Sequence, residues 1–295
     1  MKRNNCLVVG ATSLVGKFLL PRMAGAGYSI TAVSRDVQPH SGLTKETSIK
    51  WVRLDLSSDP LSSMGKEDIE TVISLAPIWV TATFAQSLPP SARRLVALGS
   101  TSVHTKAASP SAGERALAAQ LRDAENSVME SCARQGIEWT ILRPTMIHGQ
   151  GLDGNVAAIA RFITRFRFFP LVGQGLGLRA PVHAGEVAHA ALAALESENA
   201  VDKAYDISGG ETLTYRMMVE RIFEGLGRKP RIARVPLWVA RGGLRILSFL
   251  PPFGHLNPAL ADRMSVDMVF DLSPAKIDFE YSPGPFRPDM GATSQ

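Results

Sequence analysis

The stretch Cys6-Leu7-Val8-Val9-Gly10-Ala11-Thr12-Ser13-Leu14-Val15-Gly16-Lys17-Phe18-Leu19-Leu20 decides how the rest of the chain is read. Cys6 to Val9 is apolar, partly β-branched and too short for a helix, so it reads as a buried strand. Gly10 permits a sharp turn, and from there Leu14, Val15, Phe18 and Leu19 recur at helical spacing. A strand therefore feeds a glycine-bearing loop, which feeds a helix N-terminus. Unpaired backbone N–H groups and the positive end of the helix dipole meet there and attract a phosphate. Gly10-x-x-Ser13-x-x-Gly16 is a glycine fingerprint with its middle glycine replaced, and an ordinary strand–turn–helix is the competing reading. Ser13 is small enough for close approach to a pyrophosphate and its hydroxyl could bond a phosphate oxygen, but serine adopts positive φ less freely than glycine. Gly16 would let the helix pack close to the strand.

Outward from this stretch, strand-like segments alternate with helical ones. The strands read as Tyr28–Val33, Lys50–Leu54, Thr71–Leu75, Arg94–Leu98 and Glu138–Leu142. Such alternation predicts a parallel sheet with right-handed crossovers, whose ligands sit at the carboxyl ends of the strands. Gly10, Arg35, Asp55, Ala76 and Ser100 all follow predicted strands, and this convergence outweighs any single motif. Arg35 suits a ribose 2′-phosphate and Asp36 a free 2′-hydroxyl, so NADP is expected, with NAD as the alternative. A solvated surface arginine is the bland reading of Arg35. Ser111-x-x-Glu114 is a capping-box pattern that opens a long helix stopped by Gly136.

Composition narrows the class. The chain has 295 residues, 45% of them hydrophobic, and a net charge of +5. No uncharged apolar run reaches the ~18 residues of a membrane span. The first strand starts within a few residues of Met1, so no signal peptide is expected ahead of it. Cys6 and Cys132 fall in a predicted strand and helix and read as buried small hydrophobes, which fits a reducing, cytoplasmic setting. No His/Cys cluster has metal spacing. The mild basic excess, densest from Arg216 to Arg245, suits an anionic small molecule, and nucleic acid is not expected as a partner. Ala157–Phe169 reads as a helix with Arg161, Arg165 and Arg167 among phenylalanines. It is either a lobe helix or a basic amphipathic element making weak peripheral membrane contact. Val235–Leu250 is apolar with Arg241 and Arg245, broken by Pro251-Pro252, and could cover a substrate or touch a membrane. A homodimer is left open.

Taken in order, Gly-Ala-Thr-x-x-x-Gly (Gly10 to Gly16), the serine-rich Gly99-Ser100-Thr101-Ser102-Val103-His104, Trp139-Thr140-Ile141-Leu142-Arg143-Pro144, and Arg179-Ala180-Pro181-Val182-His183-Ala184-Gly185-Glu186-Val187-Ala188 resemble the atypical or extended short-chain dehydrogenases, the NAD-dependent epimerase/dehydratase-like family. Tyr205–Gly210 resembles its last sheet strand. The resemblance implies an α/β fold: a Rossmann-type doubly wound parallel sheet with a smaller C-terminal substrate lobe. Residues 1–150 would form the NAD(P)-binding domain, with 181–208 returning to it, and 151–295 the lobe. It further implies that Gly10, Thr12, Ser13, Leu14, Val15 and Gly16 meet the pyrophosphate and Arg35 the 2′-phosphate. Asp55 and Leu56 would meet the adenine, Leu75 and Ala76 the riboses, and Pro144, Thr145 and Met146 the nicotinamide. Ser100 matches the catalytic Ser/Thr, Arg179 an arginine that grips a substrate pyrophosphate, and Asn155 a substrate-loop asparagine. Arg263 and Asp267 lie where some epimerases hold the nucleotide.

One departure matters. The family's acid/base is a tyrosine followed four residues later by a lysine, on the helix after strand five. Ser111–Arg122 contains neither, and the tyrosines are Tyr28, Tyr205, Tyr215 and Tyr281. Three readings follow. His104, four residues after Ser100, could handle the proton, with His148 as another candidate and Lys106, Arg115 or Arg122 supplying charge; a loop histidine in a structural hydrogen bond is the bland alternative for His104. The protein could instead bind NADP(H) as a sensor or scaffold, or it could bind a partner with a vestigial loop. The leading expectation is hydride transfer between a nicotinamide and a carbonyl or alcohol of an anionic, nucleotide-sugar-like substrate.

Overall fold

In the computed structural model, which describes residues 5–36, 48–64, 68–236 and 264–289, the opening apolar run is β1 (Asn5–Val9) and the periodic segment after it α1 (Leu14–Gly25). There follow β2 (Ser29–Ser34), β3 (Ile49–Arg53), β4 (Thr71–Ser74), α2 (Ile78–Ala85), β5 (Arg94–Leu98), α3 (Ser102–Thr105), α4 (Ala112–Gln135) and β6 (Glu138–Pro144). The second half holds β7 (Ile147–His148), α5 (Val156–Phe166), β8 (Phe169–Val172), β9 (Leu178–Arg179), β10 (Val182–His183) and α6 (Ala184–Glu196). The last elements are β11 (Lys203–Ile207), β12 (Leu213–Thr214), α7 (Tyr215–Gly225), β13 (Ile232–Val235) and α8 (Ser273–Phe279).

Seven strands form one parallel sheet in the order β11-β6-β5-β4-β1-β2-β3. This is the expected Rossmann-type α/β fold. The strand β1 is apolar at successive positions because both faces of the sheet are covered. Its alternation sends Cys6 and Val8 into a core shared with α1, α6 and α8, and Leu7 and Val9 into one shared with α2 and α4. The order of the sheet reverses between β1 and β4, and a ligand crevice opens at such a switch point. A third apolar cluster, from α5, α7, β8 and Phe286, builds a smaller body.

Several local expectations are corrected. The helix read as Ala157–Phe169 ends at Phe166, because Arg167 takes a left-handed φ of 67° and Phe169 enters β8. At α4, Ser111 is the N-cap residue but its side chain makes no cap bond, and the Glu114 carboxylate instead accepts from the Ser109 hydroxyl at 2.6 Å. A reciprocal cap occurs at α6, where His183 Nδ1 accepts from Gly185 N (3.1 Å) and Glu186 accepts from His183 N (3.2 Å). Cys6 and Cys132 are buried free thiols, each pushed up to about 12 by burial. Among the described residues no helix is long and apolar enough to cross a membrane. The expectations for Arg241, Arg245, Pro251-Pro252 and Arg263 lie outside the described residues.

Candidate functional site

The loop after β1 is fastened on three sides. Gly10 N and Ala11 N donate to the Val33 carbonyl at the end of β2 (3.0 and 3.1 Å), and Thr12 Oγ1 lies 2.6 Å from Ser34 Oγ. Gly10 has φ +72°, and a Cβ there would lie 3.0 Å from Ala76 N, so the loop presses on the end of β4 as only glycine allows. A Cβ on Gly16 would lie 2.2 Å from the Ala11 carbonyl oxygen. At Gly16 the helix thus closes onto the loop carbonyl, while Val15 and Leu19 pack over Cys6 and Val8 of the strand. Ser13 sits at φ −65°, where any residue is comfortable, so the concern about positive φ does not arise. Its hydroxyl caps α1 by accepting from Gly16 N at 3.1 Å. The amides of Thr12, Leu14 and Val15 find no hydrogen-bond partner among the described residues. They form an anion-binding corner at the helix N-terminus. Lys17 Nζ donates to Gln150 Oε1 at 2.6 Å and ties α1 to the loop after β7.

Along the same edge, Arg35 is exposed beyond β2 and its carbonyl accepts from Arg53 Nε at 3.2 Å. The Asp55 carboxylate turns back on its own loop, accepting from Ser57 Oγ (2.6 Å) and Ser57 N (3.1 Å). These bonds hold its carboxyl below the usual range. Leu56 and Leu75 are buried and Ala76 half-buried.

Ser100 follows β5, and its hydroxyl accepts from Ser102 N at 3.2 Å. Thr101 N donates to the Pro144 carbonyl at 3.3 Å, which holds the ends of β5 and β6 together. His104 Nε2 lies 3.3 Å from Asp206 Oδ1, a buried oxygen without a hydrogen bond of its own. Asp206 on β11 stands in register with Arg143 on β6. Arg143 in turn grips Glu125 of α4 with Nε (3.0 and 3.1 Å) and Nη2 (2.7 Å). A Cβ on Gly99 would meet Glu125 Oε1 at 2.6 Å, so that glycine makes room for the pair. The result is a row of ionisable side chains, Glu125, Arg143, Asp206 and His104, on the side of the sheet edge where Ser100 follows β5. No tyrosine or lysine occurs anywhere in Ala112–Gln135. Sequence reasoning missed Glu125 and Asp206. The available signal was an acid placed beside the apolar stripe Leu121, Ala124 and Val128 of α4, where burial demands a partner.

Of the other named residues, Pro144 is buried at the end of β6. Thr145 donates to the Ile207 carbonyl from its amide (2.8 Å) and to the Ala180 carbonyl from its hydroxyl (2.7 Å). Met146 accepts from Val182 N at 3.0 Å. Arg179 is 4% exposed, its Nη1 donates to the Leu178 and Val266 carbonyls (2.7 and 2.6 Å), and its guanidinium lies 5.5 Å from the centre of the Tyr215 ring. Asn155 is exposed ahead of α5, and Asp153 Oδ1 accepts from the amides of Asn155 (2.9 Å) and Ala157 (3.0 Å). The Asp267 carboxylate accepts from Leu178 N at 2.8 Å. His148 is buried against the His183 and Phe286 rings, and burial, helped by His183, pushes it down to about 4. It is a neutral core residue at pH 7. Gly10–Gly16, Arg35, Leu75, Ala76, Ser100 and Pro144 share one sheet edge, while Asn155 and Arg179 belong to elements of the smaller body. No cluster of three metal-ligating side chains exists among the described residues.

Comparison with known proteins fits this geometry. Residues 6–88 match the model of the NAD dependent epimerase/dehydratase family. A mitochondrial NADH dehydrogenase [ubiquinone] 1 alpha subcomplex subunit 9 from Arabidopsis thaliana is 30% identical over 134 residues, 45% of this chain and 31% of that protein. The protein y4nG of Sinorhizobium fredii is 26% identical over 156 residues, 52% of this chain and 38% of its own length. The matches thus span about a third of these curated relatives. The fold superposes on UDP-glucuronic acid 4-epimerase from Bacillus cereus in complex with NAD, with a TM-score of 0.72, 15% identity and coverage of 95% and 93% of the two chains. It also superposes on an epimerase from Methanothermobacter thermautotrophicus, with a TM-score of 0.73, 14% identity and coverage of 99% and 91%.

Proposed function

We propose that this chain, one of the NAD-dependent epimerase/dehydratase-like proteins, holds a nicotinamide dinucleotide at the carboxyl edge of its sheet and uses it on an anionic substrate. The observation that carries this is the set of amides at Thr12, Leu14 and Val15 that have no partner among the described residues, beside Gly10 and at the point where the strand order reverses. Their N–H groups would take the pyrophosphate. Arg35 would meet a ribose 2′-phosphate, which favours NADP(H) over NAD(H). Leu75 and Ala76 would flank the riboses, and Pro144 to Met146 the nicotinamide. The bound dinucleotide would supply or accept a hydride.

Around it, the Ser100 hydroxyl would hydrogen-bond the substrate oxygen, and His104 would take or return the proton on that oxygen. Asp206 is within reach to hold the imidazole, and Arg143 steadies Asp206 in turn. The superposed epimerase carries UDP-glucuronic acid in its name, which supports testing nucleotide-linked sugars first. The first experiment is cofactor content of the purified protein followed by titration with NADPH and NADH. Binding of either supports the site and a preference for NADPH supports Arg35, whereas no binding of either rejects it. Ser100→Ala should lower turnover far more than cofactor affinity, and equal loss of both rejects its role.

A second reading has an observation of its own. Helix α4 lacks the tyrosine and lysine, and its buried charge is a closed Glu125–Arg143 pair. A related chain is named as a subunit of NADH dehydrogenase. This supports a dinucleotide-binding subunit without turnover. Incubation with the oxidised dinucleotide and a panel of UDP-sugars separates the two: reduction of the nicotinamide, or an epimerised sugar recovered with no net change in the cofactor, marks turnover, and neither marks the subunit.

A further inference from the structure

Two neighbouring segments carry the whole positive excess of the chain. Residues 156–172 and 226–236 contain Arg161, Arg165, Arg167, Arg228, Lys229, Arg231 and Arg234 and no acid; without these seven cations the net charge of +5 would be −2. The fold joins the segments. The strand β8 pairs in parallel with β13, Phe169 N donates to the Arg231 carbonyl at 2.9 Å, and Arg228 Nη1 donates to the Ile163 and Thr164 carbonyls at the end of α5 (3.0 and 3.2 Å). Of the acids on the adjoining α7, Glu220 pairs with Arg216 and Glu224 lies near Arg221.

Among these cations stand two uncovered rings. Phe166 is 52% and Phe168 40% exposed, although Phe162 packs against both at centroid distances of 4.6 and 5.9 Å. The Arg165 guanidinium lies 5.7 Å from the centre of the Phe166 ring. Between them Arg167 holds a left-handed backbone at φ 67°, a conformation usually given to glycine at a helix end. An arginine stands there in place of a glycine, and both it and Phe168 are exposed. The inner side of α5 is separately accounted for by Ile159, Ala160 and Ile163 in the core.

We propose that this cationic, phenylalanine-tipped surface docks the protein on an anionic phospholipid membrane. Charge complementarity selects the partner: the arginines and lysine meet lipid phosphates, while the two rings enter the boundary between headgroups and acyl chains. A nucleic acid is the other polyanion, and arginines can read base edges. The two rings, however, gather on Phe162 into one apolar tip at the end of α5, which suits entry into a bilayer boundary better than stacking of successive bases along a strand. This docking goes beyond the dinucleotide site and does not depend on it.

The test is co-sedimentation with phosphatidylcholine vesicles, alone and with about one third phosphatidylglycerol. Binding to the anionic vesicles is expected, weakening as salt is raised. Arg165→Glu with Arg167→Glu should weaken it by about a hundredfold or more. Phe166→Ser with Phe168→Ser should weaken it by roughly tenfold and leave its salt dependence in place. Arg134→Glu, exposed near the end of α4, serves as the control for general charge and should change little. Thermal unfolding and dinucleotide titration of each variant check that the fold survives. Equal binding to neutral vesicles, binding indifferent to the Arg165 and Arg167 replacements, or tighter capture of a single-stranded oligonucleotide at the same salt would overturn the proposal.

Discussion

The loop after β1 and the corner after β5 lie on one sheet edge and obey different rules. In the loop, recognition is made of backbone: amides at a helix N-terminus, a left-handed Gly10, and a Gly16 pressed onto the Ala11 carbonyl. The change of a middle glycine to Ser13 is absorbed there, because that position needs no positive φ and the serine hydroxyl serves as a cap. At the corner the arrangement is made of side chains: α4 has no tyrosine or lysine, and its buried Glu125 pairs with Arg143 on β6, next to Asp206 and His104. A backbone-built corner therefore absorbs a change where φ is ordinary and space is free, as at Ser13, and not at Gly10 or Gly16, whereas an arrangement of side chains alters with each replacement.

Four experiments press on this contrast. Removing one partner of a buried, two-pronged ion pair leaves the other charge uncompensated. Glu125→Ala is therefore expected to destabilise the fold by about 3–5 kcal/mol in urea unfolding, with dinucleotide affinity little changed once the protein is folded. A loss of affinity equal to the loss of stability would merge the two regions. Acid should act next. Because the folded pKa of His148 is pushed down to about 4, the unfolded chain binds the extra proton first, between about pH 6.5 and 4. Stability contributed by neutral His148 is fully present above that window and falls by about 3 kcal/mol as pH drops through it. His148→Asn should flatten this part of the pH–stability curve.

The remaining two concern the loop. Gly16→Ala drives a methyl against the Ala11 carbonyl, with an expected loss of about 1–3 kcal/mol in stability, and dinucleotide titration should show weaker binding as the loop is pushed aside. Arg35→Ala is the mildest: calorimetry should show NADPH binding weakened about tenfold, near 1.4 kcal/mol, with NADH hardly affected. Equal effects on both cofactors would make Arg35 a bystander.

How much of this was legible in the sequence follows the same divide. The sheet, its strands and the cofactor edge could be read because their signals are local: short apolar runs, a glycine at a tight turn, an arginine just past a strand. Asp206 and Arg143 become neighbours only through the parallel register of β11 on β6, 63 residues apart in sequence, and nothing local announces that pairing. The capping box read at Ser111 was lost to a competing bond from Ser109, while the one at His183 used an imidazole that the usual residue pattern does not include. Arg179 read as a grip on a substrate pyrophosphate, and nothing in the sequence signals that Val266, far along the chain, supplies a carbonyl to its Nη1.

The two buried thiols turn the protein into its own stopwatch. Cys6 lies in the central strand and Cys132 in the long helix that covers one face of the sheet, and at neutral pH neither is a nucleophile while buried. An alkylating reagent can therefore mark each only when its element opens. With reagent in excess, the two labelling rates separate peeling of the α4 cover from rupture of the sheet centre. If Cys132 is marked long before Cys6, the helix carrying Glu125 moves as a unit of its own. If both are marked together, the sheet and its cover open only by global unfolding.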